Sequence, residues 1–301
     1  MFRLLSKESN IFSVPLYIGF LLLIVISFNF LNFNSLYIFS GIITFAGVAL
    51  GYFGFNALKL NYQTHLPLFL YTAFIFAFYP GNLDIGIAVS LLTNSVILLL
   101  LTSEDTSVRR NSHILTGALL AVNYIFLPTT WPMAIFVIIH IIFTSDRIAL
   151  HIFRLLLGAF LITVSYFGMA YFLDLRAWNP AYFPFHGFKP MTDFTQLYPL
   201  IPVMLMLIYA VMDHFKFYNL KSPTSKFKYT FLLLFLLAQL ITVFIYMGKN
   251  YEYLILLALP ATVILSRMLK FLPKYWMKEA GLWLIIFCLV SFKIGSLFNI
   301  F

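Results

Sequence analysis

Long apolar stretches alternate with short polar connections along the whole chain. Each stretch is continuously apolar instead of alternating between apolar and polar residues, which is the pattern of membrane helices and not of barrel strands. A helix also satisfies its own backbone polar groups where lipid offers no hydrogen-bonding partner. The pattern predicts an all-α, polytopic transmembrane helical bundle. Its membrane segments, about eleven in number, are expected at 14–32, 36–54, 65–80, 85–101, 113–128, 131–144, 152–173, 197–212, 229–247, 253–269 and 280–298.

The fifth and sixth segments are short and are joined by the sequence LPTTWP. Two prolines so close together disfavour a continuous helix. An alternative interpretation is a re-entrant pair that enters from the cytoplasm, which leaves nine spanning segments and does not change the orientation of the later ones. No soluble domain fits between the segments, so residues 1–301 are interpreted as a single transmembrane domain.

Composition excludes an ordinary soluble protein. The chain is 62% hydrophobic and 10% charged, against roughly 25% charged residues in a typical soluble domain. The net charge of +9 lies in short connections between apolar segments. This distribution favours membrane lipids with anionic head groups as partners and argues against nucleic acid.

The distribution of cations predicts the orientation. With the N-terminus in the cytoplasm, fifteen of the nineteen Lys and Arg residues fall on the cytoplasmic side, where such residues are retained in short loops. The prediction is a multi-pass protein of the cell inner membrane with its C-terminus outside. Lys293, near the outer end of the last segment, is expected to extend its ammonium to the surface.

The longest connection, DLRAWNPAYFPFHGFKPMTDFTQL from Asp174 to Leu197, lies on the predicted outer side. A connection this long among short loops is often functional. The alternative is an interfacial segment whose aromatic rings rest at the depth of the lipid head groups. Its candidate substrate-binding residues are Asp174, Arg176, Trp178, His186, Lys189 and Asp193.

Two further acids are predicted in outer turns. Glu252 opens the tenth segment beside Lys249, and Asp84 lies in YPGNLDIG. We expect the outer acids to share one cavity, widened by a kink at Pro260, with Glu252 as a general base and Asp84 as a second catalytic candidate. Arg176, Lys189 and Lys249 would bind a phosphate. Alternatively, these cations pair with the acids and only close the outer surface.

No metal site is predicted, and the sequence leaves open whether there is a cofactor. None of the six histidines has a second histidine three or four residues away, the spacing that places two imidazoles on one helical face. In the second segment Gly47 and Gly51 have the spacing that lets another helix approach closely, either within the monomer or in a dimer.

The opening MFRLLSKESNIFSVPLYIGFLLLIVISFNF resembles an uncharacterised multi-pass inner-membrane family of the Bacteroidota, and this similarity extends along the chain. LTGALLAVNYIFLPTTWPMAIFVIIHIIF and YEYLILLALPATVILSRML are similar to helices of C-type membrane glycosyltransferases, which move sugars from polyprenyl phosphate carriers at the outer membrane face. Those enzymes carry a catalytic acid in a sizeable first outer loop. Here that connection is NFNS, residues 32–35, without an acid, so no catalytic residue can be transferred.

Three hypotheses about function follow. The first is a protein that binds or processes a polyprenyl-phosphate-linked glycan at the outer face, with its status as an enzyme left open. The second is a transporter or flippase, and the third is a non-catalytic subunit of a membrane assembly. A cavity that contains Glu252 and opens sideways to lipid would favour the first hypothesis. A path across the membrane between two pseudo-symmetric halves would favour the second.

Overall fold

The computed structural model describes residues 1–10, 12–30, 35–58, 64–103, 106–175, 178, 182, 188–190, 194–216, 218 and 222–298. In these ranges the regular secondary structure is entirely helical, and the all-α prediction is confirmed. The α-helices are α1 (Phe2–Leu5), α2 (Ser13–Phe30), α3 (Ser35–Leu58), α4 (His65–Phe78), α5 (Ile85–Leu101), α6 (Thr106–Phe126), α7 (Trp131–Thr144), α8 (Ile148–Phe172), α9 (Ile201–Lys216), α10 (Pro223–Tyr246), α11 (Ala258–Phe271) and α12 (Tyr275–Phe298).

Six helical stretches of the described chain are long and apolar enough to cross a membrane. Five shorter apolar helices accompany them. Two of the six long stretches begin with 3-10 helix, because Thr195–Leu200 leads into α9 and Tyr251–Leu257 leads into α11. The six are Ser13–Phe30, Ile148–Phe172, Thr195–Lys216, Ser225–Tyr246, Tyr251–Phe271 and Tyr275–Phe298.

Three prolines in or near the predicted breaks lie where helices begin. Pro128 starts a 3-10 turn, and Pro132 is in the first turn of α7. Pro260 is the third residue of α11, directly after the 3-10 helix. A missing N–H costs little in a first turn, where backbone N–H groups have no intrahelical acceptor. The expected kink of a continuous tenth helix at Pro260 is therefore replaced by a change from 3-10 to α-helix just before it.

The centre of the bundle is the stretch Tyr251–Phe271, whose most apolar part is 83% buried inside the protein. It packs against α4, α9, α10 and α12. On α4, Leu70 and Ile75 are completely buried. By contrast, only 17% of the most apolar part of α8 is buried, so α8 lies at the periphery. The element that carries Glu252 is thus the most enclosed one in the described fold.

Glycines set the closest helix contacts. A Cβ at Gly117 of α6 would lie 1.9 Å from the carbonyl oxygen of Leu155, and one at Gly158 of α8 would lie 1.9 Å from that of Ile114. These two helices form the most extensive contact in the bundle. Gly47 likewise faces the backbone of α5, where an added Cβ would lie 2.8 Å from the amide nitrogen of Leu92. The small residues therefore serve packing within the monomer.

One end of the bundle, which we call the basic end, brings together Lys7, Arg267, Lys270, Lys274 and Lys278. The carbonyl oxygen of Lys7 accepts a hydrogen bond from the His65 amide at the start of α4. The ammonium group of Met1 pairs with Glu279 at 2.7 Å. Arg267 donates to the Ser225 hydroxyl at the start of α10. The first residues of the chain thus lie beside the turn between α11 and α12.

Candidate functional site

At the opposite end, the turn from Tyr79 to Asp84 is fixed from several sides. The amide oxygen of Asn29 accepts hydrogen bonds from the Tyr79 hydroxyl and the Asn82 amide, both at 2.9 Å. Gly81 and Asn82 have positive φ angles of 80° and 45°, a backbone conformation that glycine and asparagine tolerate best. A side chain on Gly81 would also lie 2.8 Å from the carbonyl oxygen of Phe28. The turn therefore has one well-defined shape.

Lys293 of α12 contacts this turn from the interior of the bundle. Its ammonium donates to the Tyr79 carbonyl oxygen at 2.6 Å and lies 4.0 Å from the centre of the Phe28 ring. The residue is only 4% exposed. The expectation that Lys293 reaches the outer surface was wrong, because a carbonyl group and an aromatic face within the bundle satisfy the ammonium where it is.

The same turn places Asp84 against Glu252, 168 residues later in the sequence. The Asp84 amide donates to the Glu252 carboxylate at 3.3 Å. The carboxylate of Asp84 accepts from the Gly86 amide at 2.8 Å and so caps the N-terminus of α5. The backbone of Asp84 thus contacts the acid, while its side chain has a structural task.

Glu252 is held by its own local structure. Asn250 precedes the 3-10 helix and accepts, through its side-chain oxygen, a hydrogen bond from the Glu252 amide at 3.3 Å. The next residues, Tyr253 to Leu256, are buried. Glu252 itself is partly exposed. Its carboxylate therefore stands at the boundary between the packed centre of the bundle and the space outside.

That space is an open cleft of about 820 Å³, which we call the lysine cleft. Two exposed lysines reach it from separate parts of the chain. Lys249 follows the end of α10, and Lys189 is held there by its amide, which donates to the Ile245 carbonyl oxygen at 3.1 Å. The lining residues are Thr129, Lys189, Pro190, Tyr246, Met247, Gly248, Lys249, Asn250, Glu252 and Tyr253.

Aromatic contacts attach the segment 188–190 to the bundle. The Phe188 ring stacks on Tyr246 with centroids 5.7 Å apart and an interplanar angle of 7°. Tyr246 in turn accepts a hydrogen bond from the Trp131 indole at 2.7 Å. Tyr253 and Thr129 have their hydroxyl oxygens 3.3 Å apart on the neighbouring wall. The position of Lys189 therefore depends on packed rings of α7 and α10.

The lysines of the cleft make no ion pair within the part of the chain that the structure describes. There, the pair between Met1 and Glu279 is the only contact within 4.0 Å between opposite charges. The alternative in which the cations pair with Asp174, Asp193 and Glu252 finds no support for Glu252 or Asp174, and Asp193 lies outside the described residues. Both ammonium groups can bind an anion from outside.

The other predicted binding residues either lie away from the lysine cleft or fall outside the described residues. Asp174 follows α8 with a φ of 53°, and Trp178 is 63% exposed beside Tyr182; neither lines the lysine cleft. Arg176, His186 and Asp193 lie outside the described residues. Of the predicted set, the structure thus brings together Glu252, Lys189 and Lys249, with the backbone of Asp84 in contact.

Several cleft residues were not predicted. Thr129 and Asn250 stand next to Pro128 and Lys249 in connections that carry no recognisable motif, and Tyr246 resembles any aromatic residue at a helix end. Among the described residues, no group of three His, Cys, Asp or Glu could hold a metal ion. His113 and His151, however, pack with ring centroids 4.3 Å apart, a tertiary contact that local spacing could not predict.

The apolar helices and the polar cleft at one end define a helical membrane protein. Its family is also clear: the chain belongs to the family of unknown function DUF6427, whose model matches residues 1–301. No curated protein and no solved structure shows significant similarity to the chain. The resemblance to C-type membrane glycosyltransferases remains a prediction from sequence alone.

Proposed function

We propose that this protein binds or processes a polyprenyl-phosphate-linked glycan in the lysine cleft, at the outer face of the cell inner membrane. One observation carries the proposal. Two lysines from separate elements line the same open cleft as Glu252, with no carboxylate within 4.0 Å of either ammonium among the described residues. Two positive charges that have no counter-ion among the described residues, at the end of a membrane bundle, suit an anionic group on a lipid.

The proposal includes an orientation. We place the N-terminus in the cytoplasm, the C-terminus outside and about eleven segments in the membrane. Two features support this arrangement. Most of the Lys and Arg residues then face the cytoplasm, and the N-terminal segment lies at the basic end beside Glu279 of α12. The lysine cleft, at the other end of α10 and α11, then faces outward.

The chemistry of the cleft also suits a glycan phosphate. Lys189 and Lys249 supply positive charge, and the hydroxyl groups of Thr129, Tyr246 and Tyr253 offer hydrogen bonds for sugar or phosphate oxygens. In the catalytic form of the proposal, Glu252 takes the proton of an acceptor hydroxyl as that oxygen attacks the sugar and the carrier phosphate leaves. Asp84 then acts through its backbone amide, which orients the carboxylate.

The binding proposal is tested by purification with native lipid and mass spectrometry of the lipids that co-purify. We expect a polyprenyl phosphate on the wild type. Each lysine is worth about 1 kcal/mol near an anionic group, so Lys189→Gln with Lys249→Gln should weaken binding about 30-fold. The matched control is Lys274→Gln, an exposed lysine at the basic end. Unchanged binding in the double variant, or no carrier on the wild type, would refute the proposal.

The catalytic form has its own test. Glu252→Gln keeps the size of the side chain and removes the base and the negative charge. We expect this variant to bind the carrier at least as tightly as the wild type, because a repulsive charge beside the phosphate is gone. It should fail to support the glycan that the host makes. If host glycan is made normally with Glu252→Gln, Glu252 is not the general base, and the binding proposal stands alone.

A further inference from the structure

An apolar groove lies on the flank of the bundle beside the lysine cleft. Its volume is about 210 Å³, and every residue that lines it is aliphatic or aromatic. The walls come from α4, the segment 194–201, α9, α10 and the stretch Tyr251–Phe271. No residue of the groove carries a formal charge. A groove of this composition suits hydrocarbon and excludes a head group.

The groove is open on the side where lipid would lie. Tyr198, Met204 and Phe244 at its mouth are 56%, 40% and 45% exposed. Phe74 and Ala261 on its floor are 3% and 1% exposed. A hydrocarbon chain can therefore enter sideways from the bilayer and lie against the packed centre of the bundle without passing through water.

The groove and the lysine cleft follow one another along the same elements. On α10, Leu240 and Val243 line the groove, and Met247, which directly follows α10 and lies four residues after Val243, lines the cleft. Val243 and Met247 are one turn apart, about 6 Å along the axis. On the 3-10 helix, Leu254 lines the groove and Glu252 lines the cleft. A phosphate in the cleft thus has its attached chain within reach of the groove.

From this continuity we infer that the groove binds the first units of a single isoprenoid chain while the lysine cleft holds the phosphate to which that chain is joined. The inference rests on the proposed function and adds the site where the hydrocarbon chain of that lipid binds. A volume of 210 Å³ is below the roughly 300–1,000 Å³ of pockets that enclose a drug-sized ligand. It accommodates one chain and not two side by side. The bilayer that surrounds the free chain is as apolar as the groove, so moving the chain into the groove gains no hydrophobic free energy. Selectivity among lipid chains must therefore come from the shape of the groove.

Two matched tryptophan pairs on α9 test the inference. Met204→Trp with Leu207→Trp fills the groove at two lining positions one turn apart. Leu205→Trp with Ile208→Trp has the same spacing, at positions 60% and 54% exposed that do not line the groove. Native mass spectrometry in nanodiscs would compare a long-chain polyprenyl phosphate, phosphatidic acid and inorganic phosphate. Thermal unfolding of each variant would show that it is folded.

We expect the groove pair to weaken binding of the polyprenyl phosphate at least tenfold and the control pair to leave it unchanged. Phosphatidic acid should bind more weakly than the polyprenyl phosphate to the wild type. Equal binding by the groove pair and the wild type overturns the inference; if Lys189→Gln with Lys249→Gln still loses the carrier, the proposed function survives. Equal affinity for phosphatidic acid overturns the single-chain assignment. If inorganic phosphate binds but neither polyprenyl phosphate nor phosphatidic acid binds, both proposals are overturned.

Discussion

The contact between α6 and α8 gives the sharpest stability prediction. In Gly158→Ala, the new Cβ would lie 1.9 Å from the carbonyl oxygen of Ile114, whereas ordinary contact begins at 3.4 Å. The backbones must therefore separate or rotate by about 1.5 Å at this point. The obstacle is a main-chain carbonyl group, so no change of side-chain rotamer relieves it. Overpacking of this kind costs about 1–3 kcal/mol, partly offset by about 1 kcal/mol of better helix propensity.

Gly168→Ala on the same helix is the matched control. A Cβ at Gly168 meets nothing within 4 Å. There the substitution changes only the helix propensity. We therefore expect Gly168→Ala to leave the free energy of unfolding unchanged or to raise it by up to about 1 kcal/mol relative to the wild type. The two variants should therefore differ by about 1–3 kcal/mol in the free energy of unfolding. That difference corresponds to at least about 2 °C in the temperature of unfolding.

The chain contains its own reporter for this assay. Cys288 is the only cysteine of the sequence and is 5% exposed in α12. A dye that fluoresces on reaction with a thiol will label it only as the bundle opens during heating in detergent. Gly158→Ala should be labelled at a lower temperature than the wild type, and Gly168→Ala should not. Identical curves for the two variants would refute the close contact between α6 and α8.

Two further predictions concern orientation and the basic end. A reporter that is active only outside the cytoplasm should be active when fused after Phe301 and inactive after Lys226, and the opposite result would invert the proposed topology. Lys278→Gln should lower the unfolding temperature in the same thiol assay by the equivalent of about 1 kcal/mol, because its ammonium donates to the Lys270 carbonyl oxygen at 2.7 Å. Exposed Lys274→Gln should leave that temperature unchanged, and a larger effect at Lys274 would contradict the hydrogen-bonding pattern.

Sequence predicted the elements well because a membrane segment is defined by local composition. Each of the eleven expected stretches is helical over most of its described length. The errors are at polar ends: α6 begins at Thr106 instead of about 113, and α8 begins at Ile148 instead of about 152. Helical hydrogen bonding continues past the point where side chains stop being apolar, so hydropathy alone underestimates these helices.

Packing could not be predicted in the same way. In a soluble helix the apolar face points to the core, but α2 is apolar all round and gives no such direction. Because sequence does not show which side of an apolar helix faces a neighbour, the spacing of glycines indicated Gly47 and missed Gly117 and Gly158. All three lie against a neighbouring backbone. The contact of Asp84 with Glu252 depends on how α4, α5 and α11 pack. Their residue types and predicted outer positions made both acids candidates, but nothing local indicated that they touch.

The burial of Lys293 has a consequence for the order of assembly during synthesis. Its partners are the Tyr79 carbonyl oxygen, 214 positions earlier, and the Phe28 ring. Those two groups leave the ribosome long before α12 does, and the ammonium that joins them exists only when the last helix has been made. Until then the turn that places Asp84 beside Glu252 lacks the hydrogen bond from Lys293 to the Tyr79 carbonyl oxygen. The last helix therefore completes the site that the earlier helices outline.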